Sequence, residues 1–192
     1  SNINQIVNDN QTFTDNKSIA KTLNNYFVNI GPSIEKKIPK AKSSFQSYLG
    51  DRNLTSLFLN PCDTDEITEI ISKFGANKAC GPFSIPTNLL KEFSQHFSLP
   101  ISIIVNKSLN EGVFPQSLKI ALVCAIFKKN DKTKCANYRP ISLLSNISKI
   151  FEKVMFNRIE RFLEEHNLIY KYQYGFRKKY STNHALRSIV EE

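Results

Sequence analysis

Ile120-Ala121-Leu122-Val123-Cys124-Ala125-Ile126-Phe127, then Lys128-Lys129-Asn130-Asp131-Lys132-Thr133-Lys134-Cys135-Ala136-Asn137, then Tyr138-Arg139-Pro140-Ile141-Ser142-Leu143-Leu144 sets the architecture. The first part is an unbroken apolar run with the length and β-branched content of a buried strand. The second part is polar and basic. The third returns as extended chain, and Pro140 makes it an edge strand or an interrupted one, because proline has no N–H to give a ladder. Together they predict an antiparallel hairpin with a long basic tip. Cys124, inside the apolar run, reads as a buried free thiol.

The chain around this hairpin reads as helical. Downstream, Ser145 or Asn146 caps a helix with Ile147, Ile150, Phe151, Val154, Met155, Ile159, Phe162 and Leu163 on one face. Lys149, Glu152, Lys153, Arg158, Glu160, Arg161, Glu164 and Glu165 fall on the other, a mixed-sign face expected to be solvated. Residues 170–180 form an aromatic and basic loop. Thr182 or Asn183 starts a last helix with Ala185, Leu186, Ile189 and Val190.

Upstream, Asp63 and Glu66 have the spacing of a capping box, and Ile67, Ile70, Ile71 and Phe74 make the stripe behind it. Pro86 sits at a first helical position, ahead of Leu89, Leu90, Phe93 and Phe97. Pro100 is expected to break that pattern, with a second helix running to Glu111 and closing at Gly112. Further back, Thr14 or Asp15 caps a helix carrying Ile19, Leu23, Tyr26, Phe27 and Ile30, and Gly31-Pro32 is expected to stop it. The first dozen residues are expected to be frayed, and residues 39–60 to be a linker. No repeat occurs at solenoid periods.

The 192 residues suffice for one domain, or a domain plus an appendage, and a 41% hydrophobic share allows a real core. The net charge is +9. Almost all of it falls after Asn106, which points to an anionic partner for the second half. Cys62, Cys80, Cys124 and Cys135 show no C-x-x-C spacing, and His96, His166 and His184 are scattered, so a zinc site is not expected. No signal peptide opens the chain and no apolar stretch is long enough for a bilayer. The expectation is a soluble, reduced, intracellular protein of nucleus or cytoplasm, not secreted, with no membrane partner.

Two strings then carry a family resemblance. The first is Ile126-Phe127-Lys128-Lys129-Asn130-Asp131 with Asn137-Tyr138-Arg139-Pro140-Ile141-Ser142-Leu143-Leu144-Ser145 and Lys149-Ile150-Phe151-Glu152-Lys153. The second is Gln173-Tyr174-Gly175-Phe176-Arg177 with Ser181-Thr182 and His184-Ala185-Leu186. In this order, with an amphipathic helix between them, they resemble the finger motifs of reverse transcriptases from non-LTR retrotransposons of the LINE-like, jockey-like kind. Group II intron enzymes have a similar first motif. Residues 77–86 resemble the motif that precedes the fingers there, whose usual form is Gly-Pro-Asp-Gly-Ile-Pro; here Phe83 and Ser84 replace the Asp and Gly. The helix around Ala20 to Phe27 resembles the connection between endonuclease and polymerase domains.

The resemblance implies an α+β, helix-rich chain with a small antiparallel finger hairpin, a partial right-hand polymerase fold lacking most of the palm and the thumb. Residues 1–60 would be the connecting region after an endonuclease domain, and residues 61–192 the N-terminal extension and fingers. The hairpin would cover the incoming nucleotide. Arg139 would hold its triphosphate, since a guanidinium fork matches phosphate oxygens, with Lys128 and Lys129 nearby. The plain alternative for Arg139 is a surface salt bridge. Lys132, Lys134, Gly175, Phe176, Arg177, Lys178 and Lys179 would contact nucleic acid. Gly175 would supply backbone freedom and close approach, Phe176 a ring for template or core, and the cations phosphate contacts. The alternative for Lys132 and Lys134 is a solvated tip, and for Tyr174 a place in the core.

Partners implied are an RNA template, a primer, a deoxynucleoside triphosphate and the missing palm of the same polypeptide. Two Mg ions are implied for the complete enzyme and no cofactor for this chain. The family's palm supplies an Asp pair, whereas the six Asp here are all separate and the last is Asp131. Asp63, Asp65 and Glu66 read as a helix cap. The expectation is a fingers fragment that cannot polymerise alone. The alternatives are a retrotransposon-derived nucleic-acid-binding protein without catalysis, or a relic without function.

Overall fold

A computed structural model describes residues 3–48, 54–75 and 79–191. Ser1, Asn2, Leu49, Asn77, Lys78 and Glu192 lie outside the described residues, so the upstream motif can be followed only from Ala79. The described chain is α+β and helix-rich, with two separate two-stranded antiparallel sheets. It divides into two compact units. The first contains residues 1–54, 75–92 and 114–148, and the second residues 55–74, 93–113 and 149–192.

The first unit begins with a correction. The segment expected to fray is a hairpin, β1 (Ile6–Asn8) and β2 (Gln11–Phe13), in register Ile6 to Phe13. Asp9 and Asn10 turn it at φ 49° and 63°, left-handed values that short Asx side chains tolerate and that a two-residue hairpin needs. Helix α1 (Asn16–Glu35) follows, with Asp15 accepting the Ser18 N–H at 2.9 Å. Gly31-Pro32 does not stop it. Pro32 is exposed, so water can reach the Val28 carbonyl left without a donor, and Lys36 N–H still reaches the Pro32 carbonyl. Residues 39–44 lack regular structure, and a short turn of 3-10 helix covers Phe45–Tyr48.

The predicted hairpin forms as β3 (Leu122–Phe127) and β4 (Tyr138–Leu143), registered from Leu122–Leu143 to Phe127–Tyr138. Pro140 opposes Ala125 in a two-stranded sheet where both strands are edges. Alternation gives the sheet two faces. Phe127, Ala125 and Tyr138 pack with Ile6, Ile19, Leu23 and Cys135 into the unit's core. The other face carries Leu122, Ile126 and Ile141, all exposed. The apolar run is therefore not a strand buried on both faces, because only one face is covered, and Cys124 is half-buried.

Helix α3 (Thr87–Glu92) starts one residue after Pro86, whose carbonyl accepts from Leu90 N–H at 2.9 Å. The segment before it locks onto the end of β4. Gly81 N–H donates to the Leu144 carbonyl at 2.9 Å, and a Cβ at Gly81 would lie 2.1 Å from the Leu143 oxygen. Phe83 is exposed at φ 55°, and Ser84 Oγ accepts the Asn146 N–H at 3.0 Å. Asn146, buried, donates to the Ile85 carbonyl and to Thr87 Oγ1. Helix α5 (Asn146–Glu165) begins here, and Ser145 Oγ accepts Ser148 N–H at 3.1 Å, so Ser145 is the cap.

In the second unit, α2 (Thr64–Ser72) packs on α4 (Ser94–Glu111). Asp63 caps α2 through Glu66 N–H at 2.8 Å, but Glu66 does not complete a capping box. Its carboxylate pairs instead with Arg158 of α5, whose guanidinium also holds the Asn60 and Pro61 carbonyls. With side chains only 12% and 22% exposed, this is a largely buried pair, not part of a solvated helix face. Burial raises the Glu66 pKa, yet hydrogen bonds from Arg158 and Asn157, with the Arg158 charge, bring it below its ordinary value. Pro100 lies inside α4 and does not break it. Like Pro32 it is exposed, and the break falls at Phe93. Gly112 closes α4 at φ 66° as expected. Helix α6 (Thr182–Glu191) leaves Leu186, Ile189 and Val190 exposed.

Candidate nucleic-acid interface

The residues chosen from sequence fall in two places. Lys128, Lys129, Lys132, Lys134 and Arg139 belong to the β3–β4 hairpin in the first unit. Gly175, Phe176, Arg177, Lys178 and Lys179 belong to the loop between α5 and α6 in the second.

The hairpin tip is built by its own polar side chains. Asp131 Oδ1 accepts the Thr133 N–H at 2.8 Å and the Thr133 hydroxyl at 2.7 Å. The Thr133 backbone, above all, keeps the Asp131 carboxyl below its ordinary pKa. Asn137 Nδ2 donates to the Asp131 carbonyl, Tyr138 Oη to the Lys132 carbonyl, and Lys128 N–H closes the ladder on the Asn137 carbonyl. Asn130 takes φ 70°. From outside, Val7 N–H donates to the Thr133 carbonyl at 2.8 Å, and Cys135 is buried beside Ile6. Burial pushes the Cys135 thiol and the Tyr138 hydroxyl above their ordinary pKa values.

The backbone of the tip is thus fixed while its lysines stay outside. Lys128, Lys129, Lys132 and Lys134 are exposed, and Lys132 Nζ sits 5.6 Å from the Phe127 ring centre. Arg139 pairs with Ile126 across the sheet, so it shares the exposed apolar face with Ile126 and Ile141. Among the described residues no carboxylate lies within salt-bridge distance of Arg139, Lys128 or Lys129. The surface salt bridge held open for Arg139 is absent from this set.

The second loop is held differently. The Arg177 guanidinium lies 4.3 Å from the Tyr180 ring centre, and Tyr174 meets the same ring. Arg177 Nε is buried without a hydrogen-bond partner. Tyr174 is half-buried against Tyr180, outside any large core. Phe176 projects from the loop at 105% of its reference exposure, so it is not a core residue of this unit. The special backbone expected at Gly175 lies elsewhere in the loop. The left-handed backbone falls on Phe176 (φ 60°) and Lys179 (φ 65°), and a Cβ on Gly175 would meet nothing within 4 Å.

Lys178 is already engaged, with its Nζ 2.6 Å from Glu160 Oε2, a bond that raises its pKa. Lys179 is exposed.

Sequence reasoning missed the anchors of the hairpin tip. Ile6, Cys135 and the Tyr138 hydroxyl fix the loop, and the signal for the first was the Asp9-Asn10 pair between short extended segments. It also missed the exposed Leu122–Ile126–Ile141 face. Among the described residues no group of three or more His, Cys, Asp or Glu side chains is placed to hold a metal ion. No chemical step is assigned to this chain through a metal. No helix among the described residues is long and apolar enough to cross a membrane.

No family model matches the chain. Curated proteins do. It is 32% identical over 135 residues, 70% of its length, to the probable RNA-directed DNA polymerase from transposon X-element of Drosophila melanogaster. The probable RNA-directed DNA polymerase from transposon BS of the same fly is 32% identical over 137 residues, 71% of the chain. The RNA-directed DNA polymerase from mobile element jockey, also from Drosophila melanogaster, is 29% identical over 146 residues, 76% of the chain. The chain spans about 15% of the length of these curated relatives.

Proposed function

Because the chain belongs by sequence with the RNA-directed DNA polymerases of non-LTR retrotransposons, we propose that it works as the fingers region of such a polymerase. Its helix-rich α+β architecture is consistent with part of a right-hand polymerase fold. On this reading residues 1–60 connect to an endonuclease domain, and residues 61–192 form the N-terminal extension and fingers. The β3–β4 hairpin closes over an incoming deoxynucleoside triphosphate. The exposed Leu122–Ile126–Ile141 face covers the apolar base, and Arg139 takes the triphosphate. Lys128 and Lys129 add charge at the end of the same strand. Lys132, Lys134 and the loop from Gly175 to Lys179 contact the RNA template and primer through phosphates and exposed rings.

One observation carries this reading. Arg139 stands without a carboxylate partner among the described residues, on an exposed apolar face beside Ile126, on a hairpin whose backbone is fixed from behind. A guanidinium presented this way has its donors available for phosphate oxygens, and the rigid base spares the cost of ordering it. Two Mg ions and the palm carboxylates that hold them belong, on this reading, to the complete enzyme. The 192-residue polypeptide alone is then expected to extend no primer.

The test is Arg139→Ala in a complete polymerase carrying this region. The nucleotide KM should rise about tenfold or more, while template affinity stays within about twofold. A loss of template affinity with nucleotide use intact would remove Arg139 from the triphosphate. If no polymerase containing this region uses nucleotide at all, the non-catalytic nucleic-acid-binding alternative takes its place.

A further inference from the structure

Helix α5 carries a surface in the second unit that its charge pattern disguised. Lys153, Phe156 and Glu160 are spaced three and four residues apart, so they share one side of the helix. Phe156 is 43% exposed. Two ammonium groups converge on its ring, Lys153 Nζ at 4.2 Å from the centre and Lys178 Nζ at 5.9 Å. Lys178 is brought there by Glu160. The basic loop thus lies against the helix, and its cation adds to one that the helix already carries.

We propose that Lys153, Phe156 and Lys178 form a contact surface for the backbone and bases of a single-stranded nucleic acid, with Glu160 as the residue that positions Lys178. This rests on the nucleic-acid reading above and extends it to a helix face previously assigned to solvent. Three features favour a single strand over a protein partner. The first is charge: Lys178 is tied to Glu160 by one contact, but an ammonium has three donors and its side chain is 68% exposed, so it can hold a phosphate as well. Lys153 has no ion pair among the described residues.

The second feature is the pairing of cations with an exposed ring, the combination by which single strands are held without regard to sequence. The third is continuity, since Phe176, Arg177 and Lys179 extend the same chemistry along the loop. A folded protein partner would ask for a wider apolar patch than one Phe between two lysines.

The experiment measures binding of the full chain to a short mixed-sequence single-stranded RNA, and to the matching DNA, by fluorescence anisotropy over a salt series. Lys153→Gln should weaken binding about fivefold at physiological salt and lower the log–log salt slope by about 0.7, one single-strand phosphate contact. Lys153→Arg should restore both. Phe156→Leu should weaken binding about tenfold and leave the slope unchanged, because it removes stacking and no charge. Lys107→Gln, an equal loss of charge on α4 where Lys107 meets Glu111, should change neither. The inference is overturned if Lys153→Gln behaves like Lys107→Gln, if Phe156→Leu binds normally, or if polyglutamate of equal charge competes as well as RNA. Failure of the unaltered chain to bind any strand would overturn the nucleic-acid reading as well. An effect at Lys153 with none of Arg139 on nucleotide use would leave this surface standing without the finger assignment.

Discussion

The loops at residues 128–137 and 170–181 look alike in composition, each basic and flanked by aromatic residues, yet they are held by different forces. The first is fastened from beneath. Cys135 and Tyr138 enter a core with Ile6, Ile19 and Leu23, and Val7 adds a main-chain bond to Thr133. The second is clasped at the surface, by Lys178 on Glu160 and by rings and cations stacked on one another. A loop tied to a core presents its cations at set positions, as a ligand of fixed shape requires. A loop held by exposed ion pairs and rings can rearrange along a flexible strand at little cost.

The sharpest way to break this contrast is Ile6→Ala. Ile6 is fully buried, and its truncation should cost about 3 kcal/mol. In hydrogen exchange, the amides from Lys132 to Cys135 should lose protection along with α1, while those of α5 keep theirs. Retained protection at the tip would mean that the loop stands without its anchor. Tyr138→Phe is milder. Removing the hydroxyl that donates to the Lys132 carbonyl should cost about 1 kcal/mol and speed exchange at the tip without disturbing Ile6.

The second loop should respond to ionic conditions where the first does not. Trypsin should cut after Arg177 and Lys179 well before it cuts after the exposed Lys128, Lys129, Lys132 or Lys134, despite the similar charge. Glu160→Gln, or raised salt, should speed cleavage of the second loop several-fold with little change in Tm, since its clasp is a single ion pair whose lysine is exposed. Equal cleavage of both loops would erase the distinction.

The smallest effect is a pH dependence at the tip. Asp131 has a folded pKa below its ordinary 3.8, so the stability it lends is fully present above that value and lost as pH falls through the lowered one. The Thr133 amide resonance should titrate in this acid range, and Asp131→Asn should abolish the inflection.

How much of this was legible in the sequence depended on where the signal resided. The β3–β4 pairing was readable from an apolar run, a polar turn and a returning extended segment, and the helix from Asn146 from an apolar period sustained over many residues. The burial of β3 was not, because an unbroken apolar run does not say how many faces are covered. The β1–β2 hairpin was missed because its strands are three residues each and only Asp9-Asn10 marks the turn. Pro32 and Pro100 were read as stops, yet each sits at an exposed position where solvent can take up the freed carbonyl. Lys178 and Arg158 were placed by charge alone. Their partners, Glu160 and Glu66, come from elements whose approach no local pattern announces. What Phe83 and Ser84 do in place of the usual Asp and Gly could not be read from the string alone. In the structure Ser84 meets Asn146, and Gly81 fits where no side chain can.

The bond from Val7 to Thr133 has a consequence in time. The two residues lie at opposite ends of a long stretch of chain, and the ribosome adds about 5–20 residues per second. On the order of ten seconds therefore separates the appearance of β1 from that of the tip it secures. Through that interval the short strand has no distant partner, and Ile6 must stay in water or find a temporary shelter. Once the tip emerges, joining it to β1 closes a large loop, so this corner should be among the last parts of its own unit to settle.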